Sequence, residues 1–148
     1  MLSCTEFIPA YSELFKFIEQ REGHEGVEKY WELISDEYVD GFLGTAVREK
    51  GLEGCFDYWS HSLNEEAADF TMTLDPDIGE FAIDMRYCPS KGRLLEFSHI
   101  EPYHDYCGHC DVLYRRVLEK NGFECLFDMT DCHKASCNLK VRAPKNAP

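Results

Sequence analysis

The chain has 148 residues, 44% of them apolar and 14% aromatic, and carries a formal charge of -13 from 15 basic and 28 acidic side chains. That is too hydrophobic for a disordered chain and long enough for one sizeable core, so a single domain spanning 1–148 is expected. The acidic balance favours a soluble chain and speaks against nucleic acid and anionic membrane surfaces as partners. Apolar runs are only a few residues long, which predicts no bilayer span.

The N-terminal stretch MLSCTEFIPAYSELFKFIEQ has neither a basic segment nor a continuous apolar run, so no secretion signal is expected and a cytoplasmic location follows. Phe7, Tyr11, Leu14, Phe15 and Ile18 recur at helical spacing. A Gly-His-Glu-Gly break at 23–26 follows. Val27, Tyr30, Trp31, Ile34, Tyr38 and Phe42 then predict a longer second helix, with Gly51 at its C-terminal cap. Leu52, Cys55, Phe56, Trp59 and Leu63 predict a third. Asp36, Glu37 and Asp40 are assigned to a solvated helix face.

Near residue 69 the period changes to two. Phe70, Met72 and Leu74, a turn at Asp75-Pro76-Asp77-Ile78-Gly79, and Phe81, Ile83, Met85 and Tyr87 predict a β-hairpin. Cys88-Pro89-Ser90-Lys91-Gly92 ends it as a turn. A helix from about Tyr106 to Asn121, closed by Gly122, precedes strands around Cys125 and around Leu139. The tail APKNAP is expected to fray. The order ααα-ββ-α-ββ predicts an α+β fold. Residues 1–66 form a mainly helical part, and residues 67–142 an α+β part in which helices cover a small antiparallel sheet of two hairpins.

The strongest chemical signal is cysteine. There are eight, at 4, 55, 88, 107, 110, 125, 132 and 137, and five fall in the last 42 residues. In a reducing compartment such clustering points to metal or catalysis rather than disulfides. Cys107-Gly-His-Cys110 is a C-x-x-C, followed after 21 residues by Cys132 and Cys137. A pair, a long gap and a second pair is the topology of a tetrahedral thiolate site, with zinc the default metal and an iron–sulfur cluster the less favoured occupant. Cys107, Cys110, Cys132 and Cys137 are the expected ligands. The first pair opens a helix, where the dipole should lower thiol pKa. Cys55 and Cys125 sit on apolar faces and are expected to be core packers.

His99, His104, His109 and His133 surround the candidate metal site. His109, inside the C-x-x-C, is the best candidate acid or base, with Asp111 beside Cys110 as a further orienting or basic group or a simple helix-start carboxylate. His104 and Tyr106 are further candidates to line a site. No phosphate loop and no serine nucleophile elbow is present.

The run Arg86-Tyr87-Cys88-Pro89, then Cys110-Asp111, Gly122, Thr130 and Cys137-Asn138-Leu139-Lys140-Val141 resembles the L-2-amino-thiazoline-4-carboxylic acid hydrolase-like family over roughly residues 70–142. The resemblance implies a hydrolase opening a cyclic carbon–nitrogen bond in a small sulfur heterocycle, and adds Cys88 and Thr130 to the substrate-site candidates. More distantly, the same tail resembles ligand-sensing domains of the 4-vinyl reductase type. These are α+β, with a pocket between helices and sheet and, in some, a structural zinc held by late cysteines and an acidic residue. Cys132 and Cys137 would be the late cysteines, with Cys107 or Cys110 the earlier one. Met129 stands where the acidic ligand belongs, between Asp128 and Asp131.

Three functions are compatible with these residues. A metal- or thiol-dependent hydrolase would use Cys110 as ligand or nucleophile with His109 or Asp111 as acid or base. Four thiolates would quench the Lewis acidity of zinc, so this reading needs an open coordination position or a free cysteine. The alternative is a sensor domain that binds a small molecule and carries a structural cysteine-ligated zinc. A redox protein using Cys107 and Cys110 ranks last, because no βαβ pattern surrounds the motif.

Overall fold

A computed structural model describes residues 4–64 and 67–145. The expected boundary after residue 66 and the last three residues of the tail lie outside the described residues. Helix α1 spans Cys4–Ile34, and its backbone breaks at Gly23 (φ 71°, ψ -179°). Those angles are easy only for glycine, so the chain bends at the expected break while the helix resumes at once. A π-helical segment, Ser35–Gly44, continues directly into α2, Thr45–Lys50.

The π-helical turns have a sequence cause. Val27, Trp31, Ser35, Val39, Leu43 and Val47 are all buried, a strict four-residue repeat. In an α-helix each four-residue step overshoots a 3.6-residue turn by about 40°, so the buried stripe would drift away from the core. Wider π turns rotate less per residue and bring the stripe back. The one polar member, Ser35, donates its Oγ hydrogen to the Leu113 carbonyl at 2.8 Å, which satisfies it in the core.

Gly51 (φ 59°) ends α2 as expected, and α3 runs Leu52–Asn64. Strands β1 (Asp69–Asp75) and β2 (Glu80–Tyr87) form the expected hairpin. A short helix α4, Pro89–Glu96, follows where the sequence suggested only a turn. Cys88 is its N-cap, extended at φ -73° and ψ 126°, with Sγ accepting from the Lys91 backbone N–H at 3.4 Å. Pro89 suits the first helical position because its missing N–H has no intrahelical partner there. Helix α5 spans Gly108–Lys120, and β3 (Glu124–Asp128) and β4 (Cys137–Arg142) complete the sheet around a 3-10 turn at Cys132–Lys134.

The fold is α+β. The antiparallel sheet has the order β1-β2-β4-β3, so β4 returns between the first hairpin and β3. Its register aligns Phe81 with Val141, Ile83 with Leu139 and Met85 with Cys137 on the face that meets the helices. Trp59 of α3 stacks on Phe81 at 5.6 Å, tying that helix to the sheet. Cys55 and Cys125 are buried core residues, as expected. Asp36 pairs with Arg116, and Asp40 with Arg48 and Lys120, on the outer side of the π-helical segment. No helix among the described residues is long and apolar enough to cross a membrane.

Candidate active site: a cavity between helices and sheet

A cavity of about 620 Å³ opens between the first half of α1, α3, the start of α4, α5 and the inner face of the sheet. Its walls are Phe7, Ile8, Ala10, Tyr11 and Leu14 of α1, with Tyr30 beyond the bend; Trp59, Ser62 and Leu63 of α3; Ile83, Met85, Phe127, Cys137 and Leu139 of the sheet; and Cys88, Pro89, Ser90, Tyr106, His109, Cys110 and Tyr114. None of these residues is Asp, Glu, Lys or Arg. On a chain of charge -13 this apolar, uncharged interior stands apart from the surface.

Tyr106, Cys110 and Tyr114 reach the cavity because they lie four residues apart along the start of α5 and its lead-in, on one helical face. His109 is turned between them. Its ring is 9% exposed and packs edge-on against Tyr11 at 5.6 Å and Tyr106 at 4.8 Å. Nδ1 contacts the Tyr106 carbonyl oxygen, which can only accept, so Nδ1 carries the proton. Nε2 therefore keeps its lone pair, and it lies 3.4 Å from Cys110 Sγ. The thiol donates S–H to Nε2.

Burial sets the charge state of this pair. Desolvation holds His109 down to about 4, against the opposing pull of the Tyr106 carbonyl. Desolvation, then the neighbouring Cys88, Cys107 and Cys137 thiols, pushes Cys110 well above the usual thiol value. The resting pair is a neutral thiol and a neutral imidazole. Burial likewise keeps Tyr11, Tyr106 and Tyr114 protonated as hydrogen-bond donors. Tyr106 Oη lies 2.5 Å from Ser90 Oγ.

The other predicted residues divide. Cys88 and Cys137 line the cavity; burial, then the Cys88 thiol, raises Cys137 to about 11. Cys107 does not line the cavity. It lies beside Cys132, and burial first, with that neighbour second, pushes it up to about 12. The helix start therefore does not acidify these thiols: desolvation outweighs the dipole. Asp111 points away to Arg115, whose Nε donates to its Oδ1 at 2.8 Å. His104 is exposed, with Nε2 2.9 Å from Glu19 Oε1, and Thr130 is exposed in a turn where its N–H donates to Asp128 Oδ1 at 3.0 Å. Neither lines the cavity.

The five cysteines 88, 107, 110, 132 and 137 are neighbours and all are free thiols. Among the described residues, however, no group of three or more His, Cys, Asp or Glu side chains is arranged to hold a metal ion. Cys110 and Cys137 face the cavity, while Cys107 and Cys132, which neighbour them, do not line it. These side chains as placed do not fit a zinc ion.

Tyr11, Tyr30, Tyr114, Ser90 and Trp59 are wall residues that the sequence did not single out. The i, i+4 spacing of Tyr106, Cys110 and Tyr114 could have marked Tyr114; nothing local marks the others.

Fold and site together define an α+β protein with an uncharged cavity bearing thiols and a neutral Cys–His pair. Comparison with protein-family models, curated proteins and solved structures gives no significant match to this chain.

Proposed function

We propose that the protein binds an uncharged, mainly apolar small molecule in the cavity. The observation that carries this reading is the wall composition: about 620 Å³ enclosed by aromatic and aliphatic side chains, a few hydroxyls, three thiols and one neutral imidazole, with no ionic side chain. Such a volume falls within the range of small-molecule sites, about 300–1,000 Å³, and a few polar groups on apolar walls suffice to orient a ligand. An anion entering would lose its hydration with no cation to replace it.

Thiol-dependent hydrolysis is the second reading, favoured by the Cys110–His109 hydrogen bond. Two quantities weigh against it. Moving the proton before any ligand arrives is opposed at both ends, because burial holds His109 down to about 4 and pushes the Cys110 thiol well above its usual value. The aminothiazoline substrate that the family resemblance implies also carries a carboxylate, for which the cavity has no cationic partner.

The test is a matched pair of fluorescent probes, N-phenyl-1-naphthylamine and its anionic sulfonate, 8-anilino-1-naphthalenesulfonate. The neutral probe should bind saturably at one site and at least about tenfold more tightly, a difference of about 1.4 kcal/mol. Equal or tighter binding of the sulfonate, or no saturable binding of the neutral probe, overturns the proposal.

A further inference from the structure

We infer that Cys110 is a covalent capture site for uncharged soft electrophiles, such as conjugated enones and acrylamides, with His109 as the base that takes the thiol proton. This inference rests on the cavity being a ligand site for neutral molecules, and adds what happens to one class of them.

The geometry singles out one of three thiols. Cys88, Cys110 and Cys137 all face the cavity. Cys88 Sγ is the acceptor that caps α4, receiving the Lys91 N–H at 3.4 Å. Cys110 has an imidazole lone pair on its S–H at 3.4 Å, with the tautomer fixed by the Tyr106 carbonyl behind the ring. Base, thiol and carbonyl form a relay of the kind that activates nucleophiles. Tyr11, Phe15 and Trp31 pack around the His109 ring and prevent it from turning away.

The neutral resting state decides which electrophiles suit the site. A separated thiolate and imidazolium are costly here, so the proton must move as the sulfur–carbon bond forms. In conjugate addition the S–H bond breaks and sulfur bonds to the β-carbon. The proton passes to His109 Nε2 and is then delivered to the α-carbon. No oxidant or reductant is consumed. The carbonyl oxygen, which gains charge on the way, needs a donor, and burial keeps the Tyr11 hydroxyl, on the ring beside His109, protonated for that role. An uncharged acceptor with an apolar body matches the walls.

The experiment uses the full chain with N-phenylacrylamide and its unreactive saturated analogue N-phenylpropanamide. Intact mass and peptide mapping follow adduct formation, and calorimetry follows binding of the analogue. The expected result is one adduct, on Cys110, whose limiting rate at saturating N-phenylacrylamide falls at least about tenfold in His109→Gln. Because proton transfer accompanies bond formation, the rate at Cys110 should change less than about threefold between about pH 6 and 8, where a solvent-titrating thiol gains nearly tenfold per unit. This pH profile is read in the unaltered protein and does not depend on the variant folding. Preferential adducts on Cys88 or Cys137, a rate indifferent to His109→Gln, or a steep pH profile each overturn the inference. Binding of the analogue without any adduct overturns it too, and leaves the ligand-site reading standing. Absence of both binding and adduct overturns the two together.

Discussion

His109 makes acid stability a direct reading of the site. In the folded protein burial holds its imidazole down to about 4, whereas an unfolded chain titrates histidine near about 6.5. Between those values the unfolded state binds the proton and the folded state does not, so stability rises with pH there. The contribution is complete above about pH 6.5 and is lost as pH falls through the folded value. Evaluated with those two constants, roughly 2–3 kcal/mol is gone by about pH 4.5. The perturbation is His109→Gln, which removes the titration and keeps a polar side chain of similar reach. Urea unfolding of both proteins at about pH 7.5, 6.5, 5.5 and 4.5 gives the difference free energy, in which the other histidines and the carboxylates largely cancel. The advantage of the unaltered protein over the variant should shrink by roughly 2–3 kcal/mol across that range. A difference that stays flat with pH, or an imidazole that titrates near about 6.5 in the folded protein by NMR, would refute the burial argument.

Other outcomes follow from the same structure. Ala10 lies exposed at the cavity lip, so Ala10→Trp should place a ring in the opening and weaken neutral-probe binding by at least about tenfold, measured by fluorescence titration, with little change in melting temperature. Tyr103 is buried, donates its hydroxyl to Glu19 at 2.8 Å and accepts from His24 Nδ1 at 3.0 Å. Tyr103→Phe should therefore cost about 1–3 kcal/mol in urea unfolding at neutral pH. Gly92 leaves room for the Tyr87 ring, and a Cβ there would stand 2.4 Å from a ring carbon. Gly92→Ala should cost about 1–3 kcal/mol by thermal or urea unfolding, unless Tyr87 swings out.

The helices and strands were legible because each has one apolar face. Period 3.6 marked α1 and α3, period two marked all four strands, and Gly51 and Gly122 fell at helix ends. The π-helical segment was hidden inside an apparently ordinary helix, although the four-residue spacing of its buried residues encodes it. Helix α4 was missed because Cys88-Pro89-Ser90 fits a turn as well as a capped helix start; the sequence does not show that a sulfur will cap Lys91. The site was half legible. His109, Cys110, Tyr106, Cys88 and Cys137 do converge on one cavity. What spacing could not show was direction. Cys107 and Cys110 are three residues apart, yet the N-cap position of Cys107 leaves it beside Cys132 while Cys110 turns inward. His104, only five residues from His109, is carried outward to Glu19. The charge-free wall was also invisible, since its members come from seven elements that are far apart in sequence.

Where a neutral ligand sits decides whether the cavity is a binding site. Two-dimensional NMR of labelled protein titrated with N-phenyl-1-naphthylamine reports it residue by residue. Saturable shifts are expected at Tyr11, Trp59, Met85, His109, Tyr114 and Cys137, on the walls of the cavity. Shifts confined to the exposed rings of Tyr38 and Phe42, with the cavity residues unmoved, would contradict it.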